Sequence, residues 1–301
     1  MDAVIINQIM ILFIIMIVGV LGAKLKIIDD NLSKGLSNLL INIALPCLIL
    51  STFDFSFSKK MAYNSALIII ITFSVLIFSI LLSKVLYLKY EKKEQQVLRF
   101  LTIFSNCGFM GFPVVSSIYG KEGLFYTSMY NIVFNLVIWT YGLYLFSGKK
   151  DINSIKRLFI NPAMVSTFTG ILLFLFSIKL PGPIQGTLSM IGSMTVPISM
   201  LVVGASLSNI KFIDMASGFK IYYVSFLRLL FIPVILILVL KQFSIPNIIM
   251  GSVVILTAMP AATLSVIFAE ANGGDVKLAS KIIFISTVLS AVTIPIIILL
   301  L

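Results

Sequence analysis

Histidine is absent from this sequence, and acidic side chains are few, with 11 Asp and Glu residues against 22 Lys and Arg. The lack of histidine removes the commonest general base and the commonest metal ligand. No Asp or Glu lies deep within an apolar run, so a membrane-embedded enzyme would have no group for acid–base chemistry. We therefore expect no catalysis, no bound metal and no cofactor.

Cysteine is also scarce. Cys47 and Cys107 both lie inside apolar runs. A disulfide framework serves small secreted domains, whereas a thiol among apolar side chains packs as a small hydrophobic group. We expect both cysteines to have a structural role.

Apolar residues dominate what is present. They make up 59% of the 301 residues, charged residues only 11%, and the mean hydropathy is +1.13. Apolar runs of about 18 or more residues recur, and an α-helix needs about 20 to cross the bilayer. The sequence predicts an all-α polytopic membrane protein with ten transmembrane helices. These spans lie near residues 4–23, 35–53, 62–88, 96–118, 123–146, 160–178, 184–207, 218–240, 247–270 and 279–300.

The basic residues indicate the orientation. If the chain weaves regularly, 16 of the 22 Lys and Arg residues fall on the side of the loops that follow the odd-numbered spans. The positive-inside rule makes that side cytoplasmic and places both termini outside. The formal net charge of +11 is then a property of topology and requires no nucleic-acid partner.

The two halves of the chain are related. The polar linker Ser147–Arg157 leaves five spans on each side, which predicts one five-helix repeat at 1–150 and an inverted one at 151–301. Gly35 and Pro46 of span two recur as Gly186 and Pro197 of span seven, at an offset of 151. Pro113 and Pro260 likewise match, in spans four and nine, at an offset of 147.

Span four contains a run that disfavours a continuous helix, and we predict a break there near the bilayer midplane. Glycine adds backbone freedom, and proline removes an N–H donor and restricts the residue before it. The candidate site residues of this run, SNCGFMGFPVV, are Asn106, Gly108, Gly111 and Pro113.

Span nine repeats the feature in TAMPAATLSVIFAE, where Pro260 disfavours helical geometry at Met259. Each proline suits the first position of a new half-helix. The N-terminus of a half-helix carries roughly +0.5 charge and free N–H donors, which suit a carboxylate. Thr263, one turn after Pro260, is placed to help hold that carboxylate. The C-terminal ends offer the opposite charge, and a kink that only shapes packing is the alternative.

Other polar residues lie within the spans. Arg228 is about eleven residues from either end of span eight, so it needs either half-helix carbonyl groups or the transported anion as its partner. Asn42 follows Asn38 by four residues, and Asn135 follows Asn131 by four, so each pair shares a helix face. Such asparagines either line a pathway or hydrogen-bond between helices.

Three segments carry a resemblance to a known family: SNCGFMGFPVVSSIYG from Ser105, VPISMLVVGASL from Val196, and AMPAATLSVIFAEANGGD from Ala258. Here the whole chain resembles the auxin efflux carrier family, particularly its bacterial members, some of which are described as malate or malonate permeases. The resemblance implies two inverted five-helix repeats with broken crossover helices four and nine. It also implies a scaffold group that moves against the crossover group. The crossover asparagine of the family then corresponds to Asn106, and its crossover prolines to Pro113 and Pro260.

The resemblance further implies a secondary transporter of small organic anions, such as auxin or dicarboxylates, working by alternating access. The long loop of the plant carriers is missing, which favours a compact carrier of a bacterial inner membrane. H+ or Na+ as coupling ion and a homodimer both stay open. The alternatives are a sodium- or proton-coupled antiporter or symporter of the same architecture with another substrate, and a passive channel.

Overall fold

A computed structural model describes residues 2–55, 58–148, 161–208 and 218–301. Within these ranges every regular element is a helix, apart from one isolated β-bridge. Among the described residues, six helices are long and apolar enough to cross a membrane, namely Asp30–Ser51, Lys59–Leu86, Cys107–Ser147, Gly182–Ser208, Phe219–Leu240 and Val276–Leu299. The helices are α1 Asp2–Lys24, α2 Asp30–Ser51, α3 Lys59–Leu86, α4 Lys92–Ile103, α5 Cys107–Ser147, α6 Pro162–Leu175, α7 Gly182–Ser208, α8 Phe219–Leu240, α9 Asn247–Ala258, α10 Leu264–Asn272 and α11 Val276–Leu299.

The prediction of an all-α membrane protein is confirmed at this level, and each predicted span contains a helix among the described residues. Most of the predicted linker Ser147–Arg157 lies outside them. Spans four and five meet at a single residue of α5, Gly120, whose φ of +58° and ψ of −146° turn the chain. Glycine suits this position because residues with a Cβ rarely adopt such a conformation.

Three prolines inside helices each follow a π-turn, in which an N–H donates to the carbonyl five residues earlier. The turn Leu40–Ala44 precedes Pro46, and the turn Leu227–Phe231 precedes Pro233. The turn Cys107–Gly111 precedes Pro113 in the same way, with Phe112 N–H donating to the Cys107 carbonyl. A π-turn shifts the hydrogen-bond pattern, so the chain can accept a proline, which has no donor, without breaking.

This finding corrects the predicted position of the break in span four. The helix is interrupted at residues 104–106, between α4 and α5, and Pro113 lies buried within α5. Neither proline occupies the first position of a half-helix, because Pro260 lies between α9 and α10, four residues before Leu264. Pro113 and Pro260 are therefore not in equivalent places. The extended conformation expected at Met259 is confirmed, with φ −62° and ψ 149°.

The helices form two groups that face each other. The first, which we call the scaffold group, comprises α1, α2, α6 and α7; the second, the crossing group, comprises α3, α4, α5 and α8 to α11. Glycines bring α1 and α7 together closely: a Cβ on Gly204 would lie 1.9 Å from the Met16 carbonyl oxygen, and one on Gly19 would lie 2.4 Å from that of Leu201. Close backbone approach of this kind is typical of helix packing in membranes.

Candidate functional site

Two interrupted helices meet inside the crossing group. Residues 104–106 join α4 to α5, and residues 259–263 join α9 to α10; together we call them the crossing. Ser105 and Ala261 form an antiparallel bridge. The Asn106 N–H donates to the Pro260 carbonyl at 2.7 Å, and the Ala262 N–H donates to the Phe104 carbonyl at 3.1 Å. Each interruption thus provides hydrogen-bond partners for backbone groups of the other, because unpaired backbone groups are costly in a low-dielectric environment.

Buried hydroxyl groups add to this pairing. Ser105, 2% exposed, donates from its Oγ to the Leu256 carbonyl at 2.8 Å. On the other side, the Oγ of Ser286 in α11 accepts the Ala261 N–H at 3.2 Å. The composition of the chain did not indicate these residues, because isolated hydroxyl groups are common in membrane helices and carry no sequence pattern.

Arg228 occupies the C-terminal ends of both half-helices. Its Nη1 donates to the carbonyl oxygens of Thr102 at 3.1 Å and Ile103 at 2.9 Å, in the last turn of α4. Its Nη2 donates to the carbonyl of Thr257 in the last turn of α9, and its Nε to that of Met259 at 3.4 Å. The side chain is 2% exposed. The planar, five-donor guanidinium suits this arrangement because the helix ends leave several carbonyls without intrahelical partners.

Of the two partners that the sequence left open for Arg228, the structure provides the carbonyl ends. Each helix C-terminus carries roughly −0.5 charge, so a single guanidinium offsets both. Contact between Arg228 and a transported anion stays a prediction.

Asn106 stands at the opposite kind of helix end. It is the N-cap of α5, its Oδ1 accepts the Phe109 N–H at 3.3 Å, and its carbonyl accepts the N–H groups of Met110 and Gly111. Among the described residues its Nδ2 has no hydrogen-bond partner. The first turn of α5 therefore presents a side-chain amide beside the positive end of a helix, which is a favourable place for an anion.

Two glycines of this turn have different surroundings. A Cβ on Gly108 would meet nothing within 4 Å, whereas a Cβ on Gly111 would lie 2.7 Å from the Leu256 side chain. Gly111 therefore allows α5 to pack closely against α9, and a Cβ there would displace the end of the Leu256 side chain. Gly108 borders open space, and the turn that contains it packs against the second part of α7, in the scaffold group. Gly108 thus belongs to a turn that lies where the two helix groups meet.

Three predicted site residues remain: Thr263, which is the last residue of the crossing, Asn42 in α2 and Asn135 in the second half of α5. Thr263 is the N-cap of α10 and half-buried, and its side chain makes no capping hydrogen bond. Asn42 is exposed and donates to the Asn38 carbonyl, and Asn135 donates to the Asn131 carbonyl, each at 2.9 Å within its own helix. Among the described residues no hydrogen bond connects either asparagine with the crossing.

Comparison with known proteins places this geometry in a context. A family model described as membrane transport protein matches residues 4–155 and 151–298. An uncharacterized transporter of Methanocaldococcus jannaschii is 25% identical over 302 aligned residues, covering 96% of each chain. An uncharacterized transporter of Methanothermobacter thermautotrophicus is 27% identical, covering 94% of this chain and 93% of its own. The uncharacterized transporter YfdV of Escherichia coli is 23% identical and covers 86% of this chain and 85% of its own.

Proposed function

The chain belongs to the membrane transport protein family, the auxin efflux carrier family that its sequence resembles, and from this premise we propose that it is a secondary transporter of small organic anions. The substrate class that fits is a mono- or dicarboxylate. The protein is a multi-pass membrane protein. We further propose that it resides in a plasma membrane with both termini outside, as its basic residues favour.

The proposed architecture is ten spans in two inverted repeats, 1–150 and 151–301. The crossing supports it, because each half supplies one interrupted helix and the two interruptions pair with each other. The Oγ of Ser105 and the carbonyl of Leu256, which are hydrogen-bonded, are also separated by 151 residues, the offset that relates the glycines and prolines of spans two and seven. Inverted repeats around discontinuous helices recur among secondary transporters.

The observation that carries the choice of an anion is the placement of Arg228. Four helix ends meet at the crossing, and their partial charges alone would cancel. Arg228 donates to the carbonyls of both C-terminal ends, of α4 and of α9, and so offsets their negative charge. Among the described side chains, none offsets the positive N-terminal ends of α5 and α10 in this way. Glu270 in α10 lies six residues beyond Leu264, away from the crossing end of that helix.

The proposed binding site is the first turn of α5 with the space beside Gly108. There the amide of Asn106 and the N–H groups at the start of α5 replace water around a carboxylate. Pro260 and Thr263 supply the other wall, and Gly111 and Pro113 shape α5. Asn42 and Asn135 lie further along the route of the substrate. We propose that rocking of the crossing group against the scaffold group opens this space to each side in turn.

A sodium- or proton-coupled carrier of another substrate is the alternative. Such a carrier commonly places a titratable carboxylate at the membrane centre. Among the side chains that the structure describes, no carboxylate hydrogen-bonds to the crossing. Coupling of anion transport to H+ or Na+, and assembly as a homodimer, are compatible with this proposal.

Uptake into proteoliposomes tests the function. We expect saturable transport of at least one radiolabelled mono- or dicarboxylate by the wild type, assayed with and without sodium and a pH gradient. Asn106→Leu should lose this transport. Asn272→Leu is the control, because Asn272 is exposed at the end of α10 and its amide bonds to its own helix. Transport of cations alone, or full transport by Asn106→Leu, would overturn the proposal.

A further inference from the structure

A basic pocket lies apart from the crossing, at the ends of α8 and α11. Its volume is about 540 Å³, and its polar lining includes Tyr90, Lys220, Asp275, Lys277 and Lys281. All three lysines belong to the side of the protein that the distribution of basic residues predicts to be cytoplasmic. Because α8 begins at Phe219 and α11 at Val276, the pocket opens where both helices enter the membrane.

One lysine of the basic pocket is held in place. The Nζ of Lys220 lies 2.7 and 2.8 Å from the two carboxylate oxygens of Glu94, and 5.1 Å from the centroid of the Tyr90 ring. Glu94 belongs to α4, so this ion pair ties the start of α8 to the start of α4. A lysine fixed in this way loses less conformational entropy on binding a ligand than a freely moving one.

Lysines outnumber carboxylates in the described lining of the pocket. Lys277 and Lys281 are four residues apart and lie on one face of α11. Asp275 accepts the Leu278 N–H at 2.9 Å as the N-cap of α11, whereas the N-cap of α8, Gly218, offers no side chain to its helix. The described lining contains three lysines and one carboxylate, that of Asp275, and two helix N-termini add partial positive charge.

An exposed apolar surface begins at the rim of the basic pocket. Phe219, Tyr222 and Phe226 are 76%, 43% and 51% exposed and follow one face of α8 into the membrane. A soluble anion would use the lysines but not this surface. A molecule with a phosphate group and acyl chains would use both.

We propose that the basic pocket binds the headgroup phosphate of an anionic phospholipid, whose acyl chains lie along Phe219, Tyr222 and Phe226. Basic pockets between helices on the cytoplasmic side are typical sites for such headgroups. The bound lipid connects α8, which carries Arg228, with α11 and, through Lys220 and Glu94, with α4. It therefore contacts the helices that hold the crossing together.

Lipid retention in detergent tests the proposal independently of transport. Purified protein is exchanged into detergent with equal amounts of phosphatidylglycerol and phosphatidylcholine, and the retained lipid is counted by native mass spectrometry. We expect the wild type to prefer phosphatidylglycerol and the double variant Lys277→Gln/Lys281→Gln to lose about thirtyfold in that preference, the equivalent of about 1 kcal/mol for each of the two lysines.

The matched control is Lys24→Gln/Lys26→Gln, which removes two exposed lysines from the same predicted side but outside the pocket. It should retain the wild-type preference. Equal loss in both double variants would show that the lipid responds only to overall charge, and no loss in either would show that Lys277 and Lys281 do not hold the headgroup. Either result would overturn the proposal. Competition by inorganic phosphate or malonate at millimolar concentration would identify a soluble-anion site instead and equally overturn it. Unfolding temperatures measured in phosphatidylcholine alone establish that the variants are folded.

Discussion

The guanidinium of Arg228 lies 2.9 Å from the carbonyl oxygen of Ile103 and also donates to the carbonyl of Thr257. One side chain on α8 thereby joins the last turns of α4 and α9, which come from opposite halves of the chain. Among the described residues, the other hydrogen bonds within the crossing join neutral groups, and hydrogen bonds from a charged group are roughly twice as strong. Arg228 is thus both the connector of the crossing and its source of positive charge.

Replacing Arg228 should destabilise the protein as well as stop transport. Arg228→Met removes the donors from four buried carbonyls, so we expect a loss of about 3 kcal/mol in the free energy of unfolding. Arg228→Lys keeps the charge but loses the planar guanidinium, which reaches several carbonyls at once. Its stability should therefore lie between that of Arg228→Met and that of the wild type. Thermal unfolding in detergent measures the order. Wild-type stability of Arg228→Met would contradict the role of the carbonyl contacts.

A charge at Asn106 should distinguish the sign of the substrate. Asn106→Asp keeps an N-cap acceptor for the Phe109 N–H, so we expect stability close to that of the wild type. The new carboxylate lies where the substrate carboxylate is proposed to bind, so anion uptake should fall at least about tenfold, the equivalent of about 1.4 kcal/mol. Unchanged anion uptake by Asn106→Asp would contradict an anion site at this turn. So would cation uptake by the wild type that increases further in Asn106→Asp.

Filling the space beside Gly108 should block transport without unfolding. Gly108→Val adds a side chain where nothing lies within 4 Å, and Gly35→Val does the same on α2, away from the crossing. Valine is a better helix former than glycine, so neither change should lower stability. We expect Gly108→Val to lose most uptake and Gly35→Val to keep it. Similar uptake by the two variants would mean that substrate does not occupy this space.

The scaffold group depends on close contact between α1 and α7. Gly204→Ala places a Cβ 1.9 Å from the Met16 carbonyl oxygen, which cannot give way as a side chain can. We expect a loss of about 1–3 kcal/mol in stability from this overpacking. The control, Gly186→Ala, lies on the same helix in open space and should be neutral or slightly stabilising. The unfolding temperatures of the two alanine variants in the same detergent provide the comparison.

The sequence indicated the neighbourhood of the site but not its construction. Asn106, Gly108 and Pro260 were predicted from local chemistry, and the structure places all three in or next to the crossing. Pro113 was predicted to break its helix, but a π-turn accommodates it, and the break lies at 104–106 instead. Proline lacks one donor in either geometry, so the sequence cannot distinguish a break from a π-turn.

Composition and spacing alone determined that this chain is helical and embedded in a membrane, and that a regular helix is disfavoured near the middle of two spans, because hydrophobic length and backbone restriction are local properties. The tertiary structure decided which helix ends meet at the crossing. Arg228 reaches Ile103 across 125 residues, and Ser286 reaches Ala261 from another helix. Such contacts depend on the packing of helices far apart in the chain, and no local pattern encodes them.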